Sequence, residues 1–306
     1  MSAENTKLKH VPDDALKEIV MIQNRIEQLG VKEKSQTDFI EYVKHVWDGF
    51  IEGEHHKLFA EKLERVAQGK CKRLIVNMPP RHTKSEFASV FFPSWMMGLN
   101  PDMKIMQTTH TAELSARFGR KVRNLMDTDE YKQIFDKVSL SADSKSAGRW
   151  ETNKGGEYFA AGVGGAITGR GADLLIIDDP HSEQDALSPN ALESAYEWYT
   201  SGPRQRLQPG GIIVIVMTRW STLDLTEKLI KRMSEEHADQ WEILELPAVM
   251  EDNTPLWPGF WKIEELESVK ASIPISKWNA QYMQNPTSEE GALIKRDWWQ
   301  MWEHDD

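Results

Sequence analysis

The residues with the clearest chemical potential are Lys84 and Ser85, which follow a short loop after the apolar run LIVNM at 74–78. A strand that turns sharply into a helix presents backbone N–H groups and the positive end of the helix to an anion. A lysine at this point neutralises phosphate oxygens, and a serine hydroxyl can hold Mg²⁺. The order of strand, loop, lysine, serine and apolar helix therefore predicts a site for a nucleoside triphosphate.

The loop departs from the usual phosphate-binding pattern, G-x-x-x-x-G-K-[ST], at both glycines. Met78 stands at the first glycine position and Thr83 at the second. Because threonine resists positive φ, a loop that needs this conformation is expected to be strained at Thr83. The alternative interpretation is an ordinary turn from strand to helix, with a solvated Lys84 and with Ser85 as a helix cap.

Two adjacent acids, Asp178 and Asp179, close another apolar run, LLII at 174–177. Active sites of open α/β sheets lie at the carboxyl ends of the strands, so these acids are expected to meet the lysine loop. We assign Asp178 to Mg²⁺ and Asp179 to orienting and deprotonating an attacking water, with Glu183 as the fallback for the second role. The alternative is a pair of acids that cap the following loop.

Several arginines could serve the same chemistry. Arg81 lies inside the loop and could fold back on the γ-phosphate, and Arg170 lies on a glycine-rich turn from which it could reach a neighbouring subunit's nucleotide. After the run GIIVIVM, Thr218 could sense phosphate release and Arg219 could contact phosphate or a partner. The alternatives are an ordinary surface arginine at 170 and, at 218–220, a strand cap with a buried ion pair.

Basic residues also recur along the stretch 112–126. One helical face would carry a set at i, i+3, i+4 and i+7, namely Arg117, Arg120, Lys121 and Asn124. This face could follow a nucleic-acid backbone, although a solvated helix face explains it as well. Arg204 and Arg206 are open to the same two interpretations. The pair His55-His56 has no further ligand at a suitable spacing, so we expect no metal site there.

The elements that must position these residues follow from the hydropathy pattern. Apolar runs without alternation predict buried strands at 74–78, 104–109, 173–178, 211–218 and 241–247. Between and before them, helices are expected at 12–29, 37–47, 54–68, 84–98, 112–126, 189–200 and 223–233. Gly30 is expected to end the first helix, Thr37 to cap the second, and the run 158–162 to form one arm of a hairpin. This alternation predicts a parallel sheet covered by helices on both faces, after a helical N-terminal lobe.

The tail is less regular. After Pro247 no periodic pattern is found, 253–259 is expected to be a loop, and six tryptophans follow: Trp257, Trp261, Trp278, Trp298, Trp299 and Trp302. We expect a wrap-around segment or a linker. The predicted division is a helical lobe at 1–70, an α/β core at 71–250 and a C-terminal subdomain or linker at 251–306.

Composition excludes several classes of protein. Of 306 residues, 40% are hydrophobic and 28% charged, an ordinary balance that excludes disorder of the whole chain. The longest apolar run, Gly210–Met217, is far shorter than the ~18–20 residues of a membrane helix, and the polar start makes secretion unexpected. The single cysteine, Cys71, excludes an internal disulfide. With a net charge of −11, contact with nucleic acid would need a local basic patch.

The ordered motifs resemble the large terminase subunit of tailed bacteriophages. They are, in sequence order, RLIVNMPPRHTKSEFAS, FPSWMMGLNPD, ELSARFGRKVRNL, ITGRGADLLIIDDP, IVIVMTRWSTLDL, LPA, LWP and WNAQYMQNP. The likeness extends from about Phe39 to Trp299. It implies an α/β P-loop NTPase of the additional-strand, catalytic-glutamate type, which would be the ATPase domain of a viral genome-packaging motor.

The resemblance also implies roles for particular residues. The Walker A loop is similar to Pro79, Pro80, Arg81, His82, Thr83, Lys84 and Ser85. Walker B resembles 174–179, with Asp178 as the Mg²⁺ ligand and Asp179 at the position of the catalytic acid. The coupling motif looks like Thr218, Arg219 and Trp220, and Arg170 is the candidate for an arginine that acts in trans. Family members commonly have glycine where this chain has Thr83, and many have glutamate where it has Asp179.

The implied ligands are ATP and Mg²⁺, and the implied partners are double-stranded DNA, the portal protein and the small terminase subunit. Self-association into a ring, of five copies in this family, and a location in the host cytoplasm without membrane attachment are also expected. Family members carry a C-terminal nuclease domain that cuts DNA. Because the sequence ends near Trp302, about where that domain would begin, no nuclease activity is expected of this chain.

Two other functions stay open from the sequence. DDPH at 178–181 resembles the DEAH box of superfamily-2 helicases, which would need a second sheet domain after Pro247. A catalytically weak nucleotide-binding scaffold is the third possibility, suggested by Thr83 and Asp179. Strand displacement on a forked duplex would indicate the helicase, and a fold that Mg²⁺ and ATP do not protect would indicate the scaffold.

Overall fold

A computed structural model describes residues 13–165, 167 and 169–287 of the chain, without the side chains of 13–16 and 143–145. It opens with three helices: α1 (Asp13–Thr37), α2 (Phe39–Val46) and α3 (Glu54–Ala67). Within the described residues, no helix has the length and apolar character that a membrane span requires.

The first helix is longer than the sequence suggests, so the prediction that Gly30 ends it is wrong. A glycine inside a helix costs about 1 kcal/mol, which is too little to stop a helix whose next turns are anchored. The anchors are the Ser35 carbonyl, which accepts a hydrogen bond from the Trp95 indole at 2.9 Å, and the Gln36 amide, which donates to the Ile134 carbonyl at 2.8 Å. Asp38, and not Thr37, then caps α2, because its carboxylate accepts the Glu41 N–H at 2.9 Å.

A single eight-stranded sheet forms the centre of the described structure. Its strands are β1 (Arg73–Asn77), β2 (Lys104–Thr109), β3 (Leu140–Lys145), β4 (Arg149–Thr152), β5 (Glu157–Gly162), β6 (Ala172–Asp178), β7 (Leu207–Met217) and β8 (Glu242–Glu245). Their order is β3-β4-β5-β2-β6-β7-β1-β8. From β5 to β8 all neighbours are parallel, whereas β3, β4 and β5 pair antiparallel, which confirms the expected hairpin at 158–162.

The position of β7 is the topological feature that matters for the site. It lies between β1 and β6, with Leu74 opposite Val214 on one side and Leu175 opposite Ile213 on the other. The strand before the lysine loop and the strand before the two acids are thus separated by one additional strand. Because all three are parallel, their carboxyl ends lie at one edge of the sheet.

Helices cover both faces of the sheet, as predicted. The remaining ones are α4 (Lys84–Glu86), α5 (Phe92–Leu99), α6 (Ala112–Met126), α7 (Asp129–Ile134), α8 (Pro189–Ser201), α9 (Leu225–Arg232), α10 (Ile263–Ser272) and α11 (Ile275–Lys277), and a π-helical segment, Phe87–Phe91, joins α4 to α5. Successive strand residues alternate between two cores: Leu74 packs with α2, α3 and α5 to α7, and Ile75 with α8 and α9. The central strands β1, β6 and β7 are therefore apolar on both sides.

The tail is more regular than the sequence suggests. A third, small core joins Ala248, Leu266 of α10 and Trp278, which begins a π-helical turn, Trp278–Tyr282. Helix α10 was not predicted, because its apolar residues are few and most of its surface is exposed. The stretch 253–259 is a loop, as expected. Trp298, Trp299 and Trp302 lie outside the described residues, and the division into 1–70, 71–250 and 251–306 stays a prediction.

Candidate active site

The loop between β1 and α4 holds two residues in the left-handed region. Thr83 has φ 65° and Arg81 has φ 61°. A side chain in this region costs roughly 1–2 kcal/mol for each residue, so the strain expected at Thr83 is present. At Arg81 and Thr83 the loop therefore adopts a backbone conformation that glycine favours, although neither residue is a glycine.

Hydrogen bonds hold Thr83 in this conformation. Its hydroxyl donates to the His82 carbonyl at 2.6 Å and lies 2.7 Å from Nε2 of His56 in α3. Because Nδ1 of His56 accepts the Gly53 N–H at 2.9 Å, the ring proton is on Nε2, which donates to the threonine. His82 is fixed as well, since its Nδ1 donates to the Pro80 carbonyl at 2.8 Å.

Three buried imidazoles lie beneath the loop, which sequence reasoning did not anticipate. Ring centroids of His55 and His56 are 3.8 Å apart, those of His55 and His82 are 6.1 Å apart, and Trp257 packs edge-on against His55 and His56. Burial lowers the pKa of His55 and of His82 to about 4, and that of His56 to about 2. The cluster is therefore neutral at pH 7, and in the described fold it packs against Trp257 and fixes the loop through the hydrogen bonds of His56 and His82.

Lys84 and the two acids meet at the edge of the sheet. The Lys84 ammonium lies 2.9 Å from an Asp179 carboxylate oxygen, and the Ser85 hydroxyl donates to Asp178 at 3.0 Å. Burial lowers the pKa of Lys84, but Asp179 and Asp178 outweigh this effect and raise it above its ordinary value. The sheet thus joins the two sequence motifs that are far apart along the chain.

Asp178 is buried and is held by polar neighbours. Its second oxygen accepts the Ser89 hydroxyl at 2.8 Å, and the Gln107 amide of β2 donates to Ser89 at 3.0 Å. Burial, followed by the charge of Asp179, raises the pKa of Asp178 to about 7. Ser89 and Gln107 were not singled out in the sequence, because Ser89 reaches the acid from the π-helical segment Phe87–Phe91 and Gln107 is brought near it by the pairing of β2 with β6.

Asp179 has a different environment. Its side chain is 30% exposed, and its backbone is in the left-handed region, with φ 42°. One carboxylate oxygen accepts the Thr218 N–H at 2.9 Å, while the other faces Lys84. This carboxylate is therefore oriented from two sides and remains open to water.

The segment after β7 connects this acid to the rest of the fold. The Thr218 hydroxyl donates to the Met78 carbonyl at 3.3 Å, so Thr218 contacts both the lysine loop and Asp179. Arg219 is turned away: its buried guanidinium bonds Asp224 at 2.9 Å and Glu227 at 2.7 Å. Its backbone N–H donates to the Gln284 amide oxygen of the tail at 3.1 Å.

The third residue of this segment, Trp220, packs against the core beneath α8 and α9, and its N–H bonds Asp224 at 3.1 Å. Arg219 therefore forms a buried ion pair. This agrees with one of the two interpretations that the sequence allowed. Burial lowers its pKa, but Asp224 and the neighbouring carboxylates outweigh burial and raise it.

Two predicted residues form contacts of their own and are not beside Lys84. Arg170 pairs with Glu157, and its guanidinium lies 4.1 Å from the centroid of the Phe159 ring. Glu183 is exposed and pairs with Lys277 of α11 at 3.0 Å. In the described contacts, neither side chain joins the group around Asp178 and Asp179.

A pocket of about 260 Å³ opens beside the loop, between α4 and α6. Cationic, polar and apolar side chains line it: Arg81, Thr83, Lys84, Ser85, Glu86, Leu114, Arg117, Phe118 and Lys121. The described residues contain no group of three or more His, Cys, Asp or Glu that could hold a metal. Ser85 and Asp178 still fit Mg²⁺, because this ion takes hard oxygen ligands and commonly uses few from the protein, with phosphates and waters completing its shell.

Sheet order, loop and acids together are those of the P-loop NTPase fold of the additional-strand type. No model of a protein family matches the sequence, and no curated protein matches it. The fold is similar to a mutant of the large terminase ATPase domain from Thermus phage P74-26, with a TM-score of 0.52 and 12% identity over 81% of this chain and 98% of that one.

The fold is also similar to the large terminase of bacteriophage HK97, with a TM-score of 0.53 and 12% identity over 77% of this chain. The match covers 51% of the HK97 protein, so this chain spans about half of its length. The described chain thus has the fold of the ATPase domain of large terminases, as the sequence resemblance implied.

Proposed function

We propose that this chain is the ATPase motor of a viral DNA-packaging machine, which hydrolyses ATP to move double-stranded DNA into a prohead. The observation that carries the proposal is the meeting of Lys84 and Ser85 with Asp178 and Asp179 at one edge of the sheet. The similarity of the fold to large terminase ATPase domains supports the packaging role.

The loop Pro79–Ser85 would bind the β- and γ-phosphates. In the described state the Lys84 ammonium pairs with Asp179 at 2.9 Å. A bound triphosphate offers the ammonium stronger anionic partners, so Lys84 would turn to the phosphate oxygens and release the Asp179 carboxylate. Arg81, within the same loop, would add a second cation.

Ser85 and Asp178 would hold Mg²⁺, since their oxygens lie 3.0 Å apart on the buried side of the loop. When bound, this ion neutralises charge on the β- and γ-phosphate oxygens. Ser89 and Gln107 would then keep the Asp178 carboxylate in a fixed orientation.

Asp179 would orient the attacking water and take its proton, because its carboxylate is partly exposed and is fixed by the Thr218 N–H. Glu183 is the fallback for this role. Arg170 would act on the nucleotide of a neighbouring subunit, which is consistent with its place away from Lys84 in a single chain.

The segment Thr218 to Trp220 would couple hydrolysis to movement. Thr218 contacts Met78 of the lysine loop as well as Asp179, and the next backbone N–H bonds the tail at Gln284. A change at the γ-phosphate would therefore shift the tail through one rigid connection. The proposed partners are double-stranded DNA, the portal protein, the small terminase subunit and further copies of this chain in a ring of five, in the host cytoplasm.

The test is ATP hydrolysis with Mg²⁺ by the purified chain and by two variants, Lys84→Ala and Asp178→Asn. We expect both variants to lose hydrolysis, because each lacks a charge that the triphosphate complex needs. Lys57→Ala is the matched control, since this lysine is 53% exposed and pairs with Glu54 at the surface. Turnover in either site variant equal to that of the control would refute the assignment of the site.

Two further outcomes would select the other functions. The residues described after Pro247 form helices and one isolated bridge, so the described part of the chain offers no second sheet for a helicase. Strand displacement on a forked duplex without packaging by proheads would nevertheless favour that activity. If ATP with Mg²⁺ raises the melting temperature but does not turn over, the chain is a nucleotide-binding scaffold, and if it does neither, the chain is a scaffold that binds no nucleotide.

A further inference from the structure

We propose that Arg117 and Lys121 of α6 form the second wall of the nucleotide site and bind the phosphate chain from the side opposite the loop. The inference rests on the proposed function, and it assigns to the nucleotide a helix face that the sequence left open between DNA and solvent. Its starting observation is that both residues line the pocket of about 260 Å³ beside Lys84 and Ser85.

The geometry of α6 explains how they reach the pocket. Thr111 caps the helix directly after β2, and its hydroxyl accepts the Leu114 N–H at 3.2 Å, so the first turns start at the edge of the sheet where the acids lie. Leu114, Arg117, Phe118 and Lys121 follow at i, i+3, i+4 and i+7, which is one stripe of a helix. All four line the pocket, whereas exposed Arg120 does not.

Charge in the pocket is strongly unbalanced. Four cationic side chains, Arg81, Lys84, Arg117 and Lys121, line it together with a single carboxylate, Glu86. Lys121 lies 3.6 Å from Glu86, and Lys84 pairs with Asp179. Among the described residues, neither Arg81 nor Arg117 has a carboxylate within 4.0 Å. Such a concave cationic site favours a ligand with several negative charges.

The shape of the pocket favours a nucleotide over duplex DNA. A DNA backbone spreads its charges along a line, and a protein meets it with an open surface. Here the cations line a concavity between the loop with the start of α4 on one side and α6 on the other, and on α6 the lining residues follow in the order Leu114, Arg117, Phe118 and Lys121. Apolar and cationic groups alternating on one wall suit a ligand that has both a phosphate chain and a sugar and base.

The experiment compares Arg117→Gln and Lys121→Gln with Arg120→Gln, a matched control on the same helix outside the pocket. A fluorescent ADP analogue is titrated with each variant, and unlabelled ADP, AMP and pyrophosphate compete with it. We expect each pocket variant to weaken ADP binding about tenfold, as the loss of one partly screened charged hydrogen bond implies. The loss should be smaller for AMP, and Arg120→Gln should bind like the natural chain.

The outcomes separate this inference from the proposed function. If the natural chain binds ADP and both pocket variants bind it as tightly as Arg120→Gln, the second wall is refuted and the ATPase stands. If the natural chain binds no nucleotide, the proposed function itself fails. Loss of duplex DNA binding with unchanged ADP affinity would also overturn the inference, and unfolding curves confirm that each variant is folded.

Discussion

Acidification should weaken this fold through the imidazoles beneath the lysine loop. His55, His56 and His82 are buried, and their pKa values, lowered by burial to about 4, about 2 and about 4, keep them neutral well below pH 6. In the unfolded chain the same side chains take up a proton as the pH falls through about 6.5. Since the unfolded state then binds more protons, stability is full above this pH and is lost as the pH falls toward 4.

The magnitude follows from proton linkage. Between pH 7 and pH 5, an imidazole that protonates only in the unfolded chain lowers the free energy of unfolding by about 2 kcal/mol. The three together amount to about 6 kcal/mol, comparable with the whole stability of many domains. Asp178 has the opposite effect on stability. Because its pKa is raised to about 7 in the folded chain, the folded state binds this proton at a higher pH than the unfolded state, and acidification favours folding through this group. A single substitution is therefore the cleaner measurement.

The substitution His55→Phe measures the pH-dependent contribution of one of the three buried imidazoles. The His55 ring packs edge-on against Trp257 at 5.4 Å, so phenylalanine keeps this contact and removes the proton site. Urea unfolding at pH 7, 6 and 5 should show a loss of stability between pH 7 and pH 5 that is smaller by about 2 kcal/mol than in the natural chain. His237→Gln, at a side chain 89% exposed, is the control. Equal losses in His55→Phe and the natural chain would refute the reasoning.

Two more predictions concern buried polar groups. Arg219→Met should lower the free energy of unfolding by about 3–5 kcal/mol, because it leaves buried carboxylates unpaired, while Arg232→Met, at an exposed pair with Glu235, should change it far less in the same urea titration. Gln107→Leu removes the donor that holds Ser89 against Asp178 and should raise the Mg²⁺ concentration for half-maximal nucleotide binding about tenfold. Exposed Gln240→Leu is its control, and equal Mg²⁺ requirements would contradict that role.

The sheet was predictable because buried parallel strands have a simple signature. In β6, Leu174 and Leu175 face opposite cores, so the run is apolar without alternation and could be identified from the sequence. Helix α6 was predicted with its observed bounds, since Thr111 caps it and its apolar face is continuous. The prediction that Gly30 ends α1 was wrong because the low helix propensity of one exposed glycine is outweighed by the hydrogen bonds that the following turns of α1 form.

The site was predictable only in part. The sequence predicted that Lys84 and Ser85 would meet Asp178 and Asp179, because motif chemistry and strand ends place such residues together, and these contacts are present. Gln107 reaches Ser89 through the pairing of β2 with β6, which no local pattern encodes. The two interpretations of Arg219, phosphate contact or buried pair, differ only in the position of acids that follow it on α9, so the sequence could not decide between them.

The loop shows how the backbone conformation of a phosphate-binding turn can be adopted without its usual glycine. The left-handed conformation of Thr83 costs roughly 1–2 kcal/mol, and a hydrogen bond contributes about 1 kcal/mol. Thr83 forms two, to the His82 carbonyl and to His56, so the two terms are of similar size.

A glycine would adopt the same φ without strain, but it has no side chain that could hydrogen-bond the loop to a neighbouring helix. Threonine instead ties it to α3 through His56, and Trp257 of the tail packs on the same imidazole. The N-terminal helices and the tail therefore meet at the residue just before Lys84, so under the proposed function a movement of either would change the position of the phosphate-binding loop.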